Sequence, residues 1–332
     1  MILVPSRVIR RVPRSRWKQR GSWDIAYKPS SVTALSDWTA RSTAAGVVQA
    51  KRFTQSSDVT SWTHNDGTQS FCSLDSTDGI IGDGCLKITI PSTQGNATGQ
   101  WRVPLNSAWV TDGNGFGNQE WYWQYRVKLG PHRLDTTDGG GFKLCNIAGY
   151  IPSSPGSSKS HTSHEVVIGN GFNQRGILYA YREHPISGTT PFETTDGNGD
   201  IHLQTAVDHG AGVADKYQRY CLYQGGNASA GCWFYTEQEW FTVYGRLKIL
   251  DYGGSGTGNE IDLYVQRAGE LAWTQLYNNR NFAIGSDSEY PNGQNGIWFL
   301  NYDTNRTSGP FDTWCKYDQL IVSTQQIALP AY

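Results

Sequence analysis

The chain has 332 residues and a formal net charge of −1. No stretch approaches the roughly eighteen consecutive apolar residues that a membrane-spanning helix needs, and the N-terminus lacks the pattern of a secretory signal. The 13 Trp, 18 Tyr and 11 Phe, together with 38 Gly and one Met, favour strands joined by turns over helices.

The N-terminal segment concentrates positive charge. Its first twenty residues hold seven cations, with no acid before Asp24. These cations are Arg7, Arg10, Arg11, Arg14, Arg16, Lys18 and Arg20. Prolines and a lack of periodicity predict an extended anchoring arm over residues 1–36, followed by one domain over 37–332. Apolar residues among the cations favour docking on an acidic protein surface, and binding to nucleic-acid phosphates is the alternative.

The elements after the arm are predicted to be almost entirely strands. One short helical turn is expected within residues 37–46. Alternating apolar and polar residues then predict strands at 47–53, 86–90, 100–105, 120–129, 141–147, 165–169, 176–183, 240–249, 260–265, 296–302 and 317–322. The sequence therefore predicts an all-β fold, a two-sheet antiparallel jelly-roll sandwich with an extended N-terminal arm.

The clearest strand, 120–129, suggests a site for an acidic polysaccharide. Gln124 and Arg126 lie on its polar side, and Lys143 and Tyr181 are expected on the same face of neighbouring strands. Arg binds a uronate carboxylate, and Tyr or His transfers protons in β-elimination. Nearby histidines in sequence are His161, His164 and His184. The alternative is that these are ordinary outward-facing residues of a sheet that has one face in solvent.

Aromatic residues in or beside loops are the second indication of glycan binding, because sugar rings stack on Trp and Tyr. The candidates are Trp109, Trp233, Tyr235 and Trp273. Burial in the core is the alternative for each of them. The long loops 150–164, 184–216 and 250–259 are also expected to bind a ligand.

Acidic and sulfur-containing residues give weaker indications. Glu260 and Asp262 are the one close carboxylate pair on a predicted strand, and a solvated outer face is their more usual role. Asp-rich turns such as 75–79, 111–115 and 195–200 leave Ca²⁺ open as a ligand, although tight turns explain them better. The cysteine spacing fits no metal site, and no cofactor is predicted. Cys72 with Cys85, and Cys221 with Cys232, are compatible with local disulfides; buried thiols are the alternative.

Several sequence blocks resemble uncharacterised tailed-phage and prophage proteins. The blocks are DWTARSTAAGVVQAKRF at 37–53, EWYWQYRVKL at 120–129, GCWFY at 231–235 and YDQLIVST at 317–324. The strand pattern also resembles the concanavalin-like jelly rolls of polysaccharide lyases.

The resemblance implies a virion structural protein assembled in the host cytoplasm, such as a capsid decoration, head-fibre, collar or tail-fibre component. Its implied partners are the major capsid protein, further copies of itself and a host polysaccharide. The alternatives are a polysaccharide lyase acting on a uronate polymer, and a capsid shell protein that binds nucleic acid.

Overall fold

The fold was analysed in a computed structural model of the whole chain. The structure describes residues 31–60, 71–93, 98–104, 120–131, 142–149, 166–170, 178–182, 193–195, 201–203, 236–248, 260–270, 272–280, 294–303 and 311–331. Predictions for residues 1–30 and for the long loops lie outside this part of the chain.

The described elements are two helices and fifteen strands. The helices are α1 (Ser31–Ser42) and α2 (Ser56–Thr60). The strands are β1 (Val47–Lys51), β2 (Cys72–Asp75), β3 (Cys85–Ile90), β4 (Thr98–Pro104), β5 (Glu120–Leu129), β6 (Phe142–Gly149), β7 (Val166–Asn170), β8 (Leu178–Arg182), β9 (Glu193–Thr195), β10 (Ile201–Leu203), β11 (Trp240–Lys248), β12 (Glu260–Arg267), β13 (Thr274–Arg280), β14 (Gln294–Asp303) and β15 (Thr313–Ser323). All the predicted strands are present. The helix that was expected as one turn within 37–46 begins earlier, at Ser31, so residues 31–36 of the predicted extended arm are helical.

The strands form two antiparallel sheets. One sheet has eight strands in the order β13-β12-β11-β5-β15-β3-β2, with β1 pairing along the second half of β15. The other sheet has seven strands in the order β4-β14-β6-β7-β8-β10-β9. Most neighbours are distant in sequence, as they are in a jelly roll. The predicted two-sheet antiparallel sandwich is confirmed.

Aromatic side chains from both sheets fill the core between them. Trp121, Trp123 and Tyr125 alternate along β5 and are fully buried. Phe299 of the seven-stranded sheet stacks on Tyr317 of the eight-stranded sheet, with ring centroids 4.4 Å apart. The alternation predicted for 120–129 therefore points one side of this strand into the sandwich.

Helix α1 covers part of the outer face of the eight-stranded sheet. Ala34, Trp38 and Arg41 form its buried side, at the spacing of successive helical turns. The Arg41 guanidinium donates to the side-chain oxygens of Gln124, at 2.5 Å, and Gln319, at 3.1 Å. The polar side of β5 is consequently interior at Gln124, because the helix and the C-terminal segment lie against it there.

Asp75 and Asp78, in one of the turns considered for Ca²⁺, form ion pairs in the structure. Lys316 Nζ lies 2.8 Å from Asp75 and 2.6 Å from Asp78, and Lys128 Nζ lies 2.9 Å from Asp78. These ion pairs occupy both carboxylates and hold the turn against the sheet.

None of the helices in the described ranges is long and apolar enough to cross a membrane.

The described cysteines do not form the disulfides considered from their spacing. Cys72 and Cys85 lie in adjacent strands, where they pair with Ile88 and Asp75, and no disulfide joins them. Cys145 and Cys315 are buried and are also outside any disulfide. Burial raises the pKa of the Cys85 thiol, with a smaller contribution from Asp318. Cys221 and Cys232 lie outside the described residues.

Candidate active site

A row of register positions crosses the outer face of the seven-stranded sheet. Each member pairs with the next on the neighbouring strand, from β4 to β9. The row runs Arg102, Trp298, Asn146, Val167, Tyr181, His202 and Thr194. Because residues paired directly across antiparallel strands lie on the same side of a sheet, these positions share one face.

The burial pattern of β14 shows which face this is. Ile297 and Phe299 belong to the main core cluster, whereas Trp298 and Leu300 form a separate cluster. Trp298 and Leu300 therefore lie on the side of the sheet that faces away from the other sheet. Trp101 and Cys145, which pair with Phe299, are core residues as well. The row containing Trp298 is thus on the outer face, and Trp298 and Leu300 are themselves covered there, at 1% and 3% exposed.

A second outer row lies beside the first and contains the predicted residue Lys143. Tyr302 of β14 pairs with Lys143, Lys143 with Gly169, and Gly169 with Tyr179. Tyr179 precedes Tyr181 by two residues, so both positions lie on the same face of β8. Lys143 and Tyr181 therefore share a face, as the sequence predicted.

A β-bulge in β6 is what brings positions 143 and 146 to the same face. Lys143 pairs with Gly169 and Cys145 pairs with Ile168, which leaves Leu144 as the extra residue. Leu144 and Cys145 are both buried in the core, although they are consecutive. A regular strand would place residues three apart on opposite faces, and the bulge reverses this alternation.

Tyr317 of the eight-stranded sheet supports this irregular region from beneath. Its hydroxyl donates to the Leu144 carbonyl at 2.8 Å and also contacts the Leu300 carbonyl. Leu300 lies where the register between β14 and β6 shifts. The carbonyls of Leu144 and Leu300 thus share a buried hydrogen-bond donor, which stabilises the backbone beneath the outer rows.

The two rows have a cationic and polar composition. They carry Arg102, Lys143 and His202 as basic residues, Asn146 as an amide and Tyr181 as a phenol, and their eleven positions include no acidic residue. Arg and amide groups recognise carboxylates, and Tyr and His exchange protons. Such a set suits an anionic substrate that reacts by proton transfer.

The predicted positions of Gln124 and Arg126 are wrong. Both belong to β5 of the eight-stranded sheet, whereas Lys143 and Tyr181 belong to the seven-stranded sheet. Each is about 1% exposed. Gln124 binds Arg41, and Arg126 lies opposite Asp318 in the β5–β15 register. They hold the sheet to its covering segments and do not meet the other predicted residues.

Trp273 is the predicted glycan-binding residue that the structure describes. It is half-buried, and it lines a cleft on the outer face of the eight-stranded sheet. Trp109, Trp233, Tyr235, His161, His164 and His184 lie outside the described residues, as do the seven arm cations. Their roles stay predictions.

Sequence reasoning missed Arg102, Asn146 and His202. Arg102 lies in a predicted strand, but strand periodicity alone does not say which sheet a strand joins. The alternation that would have placed Asn146 is reversed by the bulge at Leu144. His202 lies in the three-residue strand β10, which is too short to show a period.

Comparison with solved structures finds the fold of this chain in an alginate lyase. The marine PL-14 alginate lyase from Aplysia kurodai superposes with a TM-score of 0.56 at 12% identity, over 85% of this chain and 100% of that one. The alginate lyase Aly36B gives a TM-score of 0.41 at 14% identity, over 91% of this chain and 93% of that one.

A further solved structure is the alginate lyase A1-II′, a member of polysaccharide lyase family 7. Its TM-score is 0.39 at 15% identity, over 76% of this chain and 82% of that one. At these identities the likeness concerns the fold. The sequence matches no protein-family model and no curated protein.

Proposed function

We propose that the protein is a polysaccharide lyase that cleaves a uronate-containing polymer on the outer face of its seven-stranded sheet. The observation that carries this proposal is the register row that aligns Arg102, Asn146, Tyr181 and His202, beside Lys143. The shared fold with an alginate lyase supports it and makes alginate the first substrate to test.

In this proposal the basic and amide residues bind the substrate carboxylate. We assign the carboxylate of the reacting sugar to Lys143, whose strand is three spacings from that of His202, about 14 Å, a span that a long side chain can cross. Arg102, five spacings or about 24 Å from His202, and Asn146 are assigned to carboxylates of neighbouring sugars, since a guanidinium and an amide both donate hydrogen bonds to them. Withdrawal of negative charge from the carboxylate acidifies the C5 proton, and positive charge stabilises the resulting enolate.

The elimination step needs one proton acceptor and one proton donor. Neutral His202 accepts the C5 proton, and the Tyr181 hydroxyl donates a proton to the glycosidic oxygen. The C5–H and C4–O bonds break, a C4=C5 double bond forms, and the leaving sugar departs as an alcohol. The two positions are direct cross-strand neighbours, which places them about 5 Å apart along the sheet.

The length of the row suits a polymer. It crosses seven strands, and strands in a sheet lie about 4.8 Å apart, so the row spans about 29 Å. Trp298 is covered at 1% exposed, so the reacting part of the polymer is expected to lie across β6 to β9, where it would bring successive carboxylates past Lys143 and His202. We therefore expect endolytic cleavage, with oligosaccharide products of several sizes.

The experiment measures the ultraviolet absorbance of the unsaturated product from alginate, polyglucuronate and bacterial capsule preparations. We expect Tyr181→Phe and His202→Asn each to lower kcat by about 100-fold or more, the size typical of losing an acid or base. Arg102→Gln is expected to raise KM with little change in kcat, because this position is about 24 Å from His202 and contacts another sugar of the polymer. The proposal is contradicted if none of these polymers yields unsaturated product.

The matched control is Arg267→Gln on the eight-stranded sheet. Arg267 is partly exposed and pairs with Glu270 at 2.8 Å. This substitution makes the same chemical change as Arg102→Gln, away from the proposed site. Arg267→Gln should leave kcat and KM unchanged. An equal loss of kcat/KM in both variants would count against a specific role for Arg102.

The virion location that the resemblance to tailed-phage proteins implies is compatible with this activity. A particle that meets a polysaccharide-coated host benefits from an enzyme that cleaves the coat, and the arm would supply attachment. Deletion of residues 1–30 is expected to abolish incorporation into particles while leaving lyase activity intact. Full occupancy of particles without the arm would refute the anchoring role.

A further inference from the structure

The eight-stranded sheet carries a cleft on its outer face, opposite in the sandwich to the proposed lyase site. Its volume is about 450 Å³. Strands β5, β11 and β12 and the segment before β13 supply its floor, and the C-terminal segment supplies a wall. The lining residues are Tyr122, Tyr244, Arg246, Asp262, Tyr264, Trp273, Gln326, Ile327 and Leu329. The volume lies within the range of about 300 to 1,000 Å³ that is usual for small-molecule sites.

Four aromatic rings form one continuous surface in this cleft. Tyr244 is at its centre, with ring centroids 5.5 Å from Trp273, 5.8 Å from Tyr264 and 6.2 Å from Tyr122. Tyr244 pairs directly with Tyr264 across β11 and β12. Tyr244 is buried, and its three neighbours are half-buried, so their ring surfaces are partly open to the cleft.

An ion-pair network forms the polar end of the same cleft. Arg246 contacts the carboxylates of Glu120 at 2.5 Å, Glu260 at 2.7 Å and Asp262 at 2.8 Å. Lys248 lies 3.7 Å from Glu260. Two cations thus face three carboxylates, and the network has one net negative charge. Arg246 and Asp262 are its members in the cleft lining, and the other three lie outside that lining.

The network makes these carboxylates stable hydrogen-bond acceptors. Burial alone would raise the pKa of Glu120, but hydrogen bonds from Tyr122 and Arg246 outweigh burial and lower it. The Arg246 guanidinium already donates to three carboxylates of the protein, so it does not offer a pair of N–H donors to a substrate carboxylate. The expected solvated outer-face role is wrong for Asp262, which is 3% exposed, whereas the Glu260 side chain is 23% exposed.

We infer that this cleft is a saccharide-binding site for an uncharged sugar, separate from the lyase face. The aromatic surface provides stacking for a sugar ring, and the Asp262 carboxylate, held by Arg246, provides an acceptor for a hydroxyl group. The net negative charge disfavours a uronate. The two outer faces therefore differ in chemistry, with basic rows on one sheet and an aromatic, acidic cleft on the other.

The test is calorimetric titration of the full chain with neutral tri- and tetrasaccharides of glucose, galactose and mannose. Trimannuronate and a glucosamine trimer are titrated in parallel. We expect at least one neutral sugar to bind, and Trp273→Ala to weaken binding by about tenfold or more, which corresponds to about 1.4 kcal/mol. Trp240→Ala, a half-buried Trp of the same sheet outside the cleft, should bind normally.

Three outcomes would overturn the inference. They are no binding of any neutral sugar, equal binding by wild type and Trp273→Ala, and binding of only the uronate or only the glucosamine trimer at this cleft. Tyr181→Phe separates this inference from the proposed lyase activity. It should retain neutral-sugar binding whether or not the protein proves to be a lyase.

Discussion

At the residue scale, Asp318 is the buried group with the clearest pH signature. Burial raises the pKa of its carboxyl from 3.8 to about 6, although the backbone N–H groups of Ile80 and Gln319 donate to it and lower the pKa. The folded protein therefore holds a proton between about pH 4 and 6 that the unfolded chain releases. Stability from this group is greatest at low pH and falls as pH rises through that window.

We expect Asp318→Asn to remove this pH dependence. The free energy of unfolding of the variant, relative to wild type, should rise by about 3 kcal/mol between pH 4 and 7, as a shift of about two pKa units implies. The variant also loses one carboxylate oxygen as a hydrogen-bond acceptor, which changes its free energy of unfolding by an amount that does not vary with pH. Urea denaturation at several pH values measures the difference.

Asp75→Asn is the control, because Asp75 has the opposite shift. Burial would raise the pKa of this carboxyl, but hydrogen bonds from Lys316 and Thr77 lower it to about 2. Asp75 stays ionised in both states above about pH 5, so its variant should differ from wild type by a constant amount from pH 5 to 8. A constant difference for Asp318→Asn as well would contradict the assignment.

At the element scale, the bulge in β6 links the core to the proposed site. Tyr317→Phe removes the hydroxyl that binds the Leu144 carbonyl and keeps the ring that stacks on Phe299. We expect it to cost about 1 to 3 kcal/mol of unfolding free energy, because a buried carbonyl loses its donor. Lyase activity should fall more than expected from the small loss of folded protein, since Lys143 flanks the bulge. Undiminished activity would show that the bulge does not position the site.

Strand β11 depends on a glycine for its packing against β5. Gly245 pairs with Trp123, and a Cβ at this position would overlap the fully buried indole of that residue. Gly245→Ala is expected to cost about 1 to 3 kcal/mol by overpacking. Urea denaturation measures the cost.

Gly269→Ala is the comparison for Gly245→Ala. Gly269 has a φ of 82° and open space around its Cα, so a methyl group there meets no neighbour. Only backbone strain of about 1 kcal/mol is expected. If Gly245→Ala proved the milder of the two, the close packing of β11 on β5 would be refuted.

At the scale of the whole molecule, the sequence predicted the sandwich because its strands are long and strongly alternating. The segment 120–129 matches β5 residue for residue. Alternation within a strand says nothing about which strands become neighbours, and most neighbours here are distant in sequence. For that reason Gln124 and Arg126 were assigned to the wrong sheet.

The candidate site was only partly predictable for the same reason. Lys143 and Tyr181 were identified from residue type and strand pattern, and the register confirms that they share a face. Arg102 and His202 join them only through pairing between strands far apart in the chain. Asn146 depends on a bulge, which inserts a residue without a sequence signal strong enough to predict it.

We propose that the outer face of the seven-stranded sheet cleaves uronate linkages by β-elimination. The most direct measurement is the rate of unsaturated product formation from purified polymannuronate by wild type and Tyr181→Phe at equal concentrations of folded protein. The account predicts steady product formation by wild type and a loss of about 100-fold or more in the variant. Equal rates in the two proteins would contradict it.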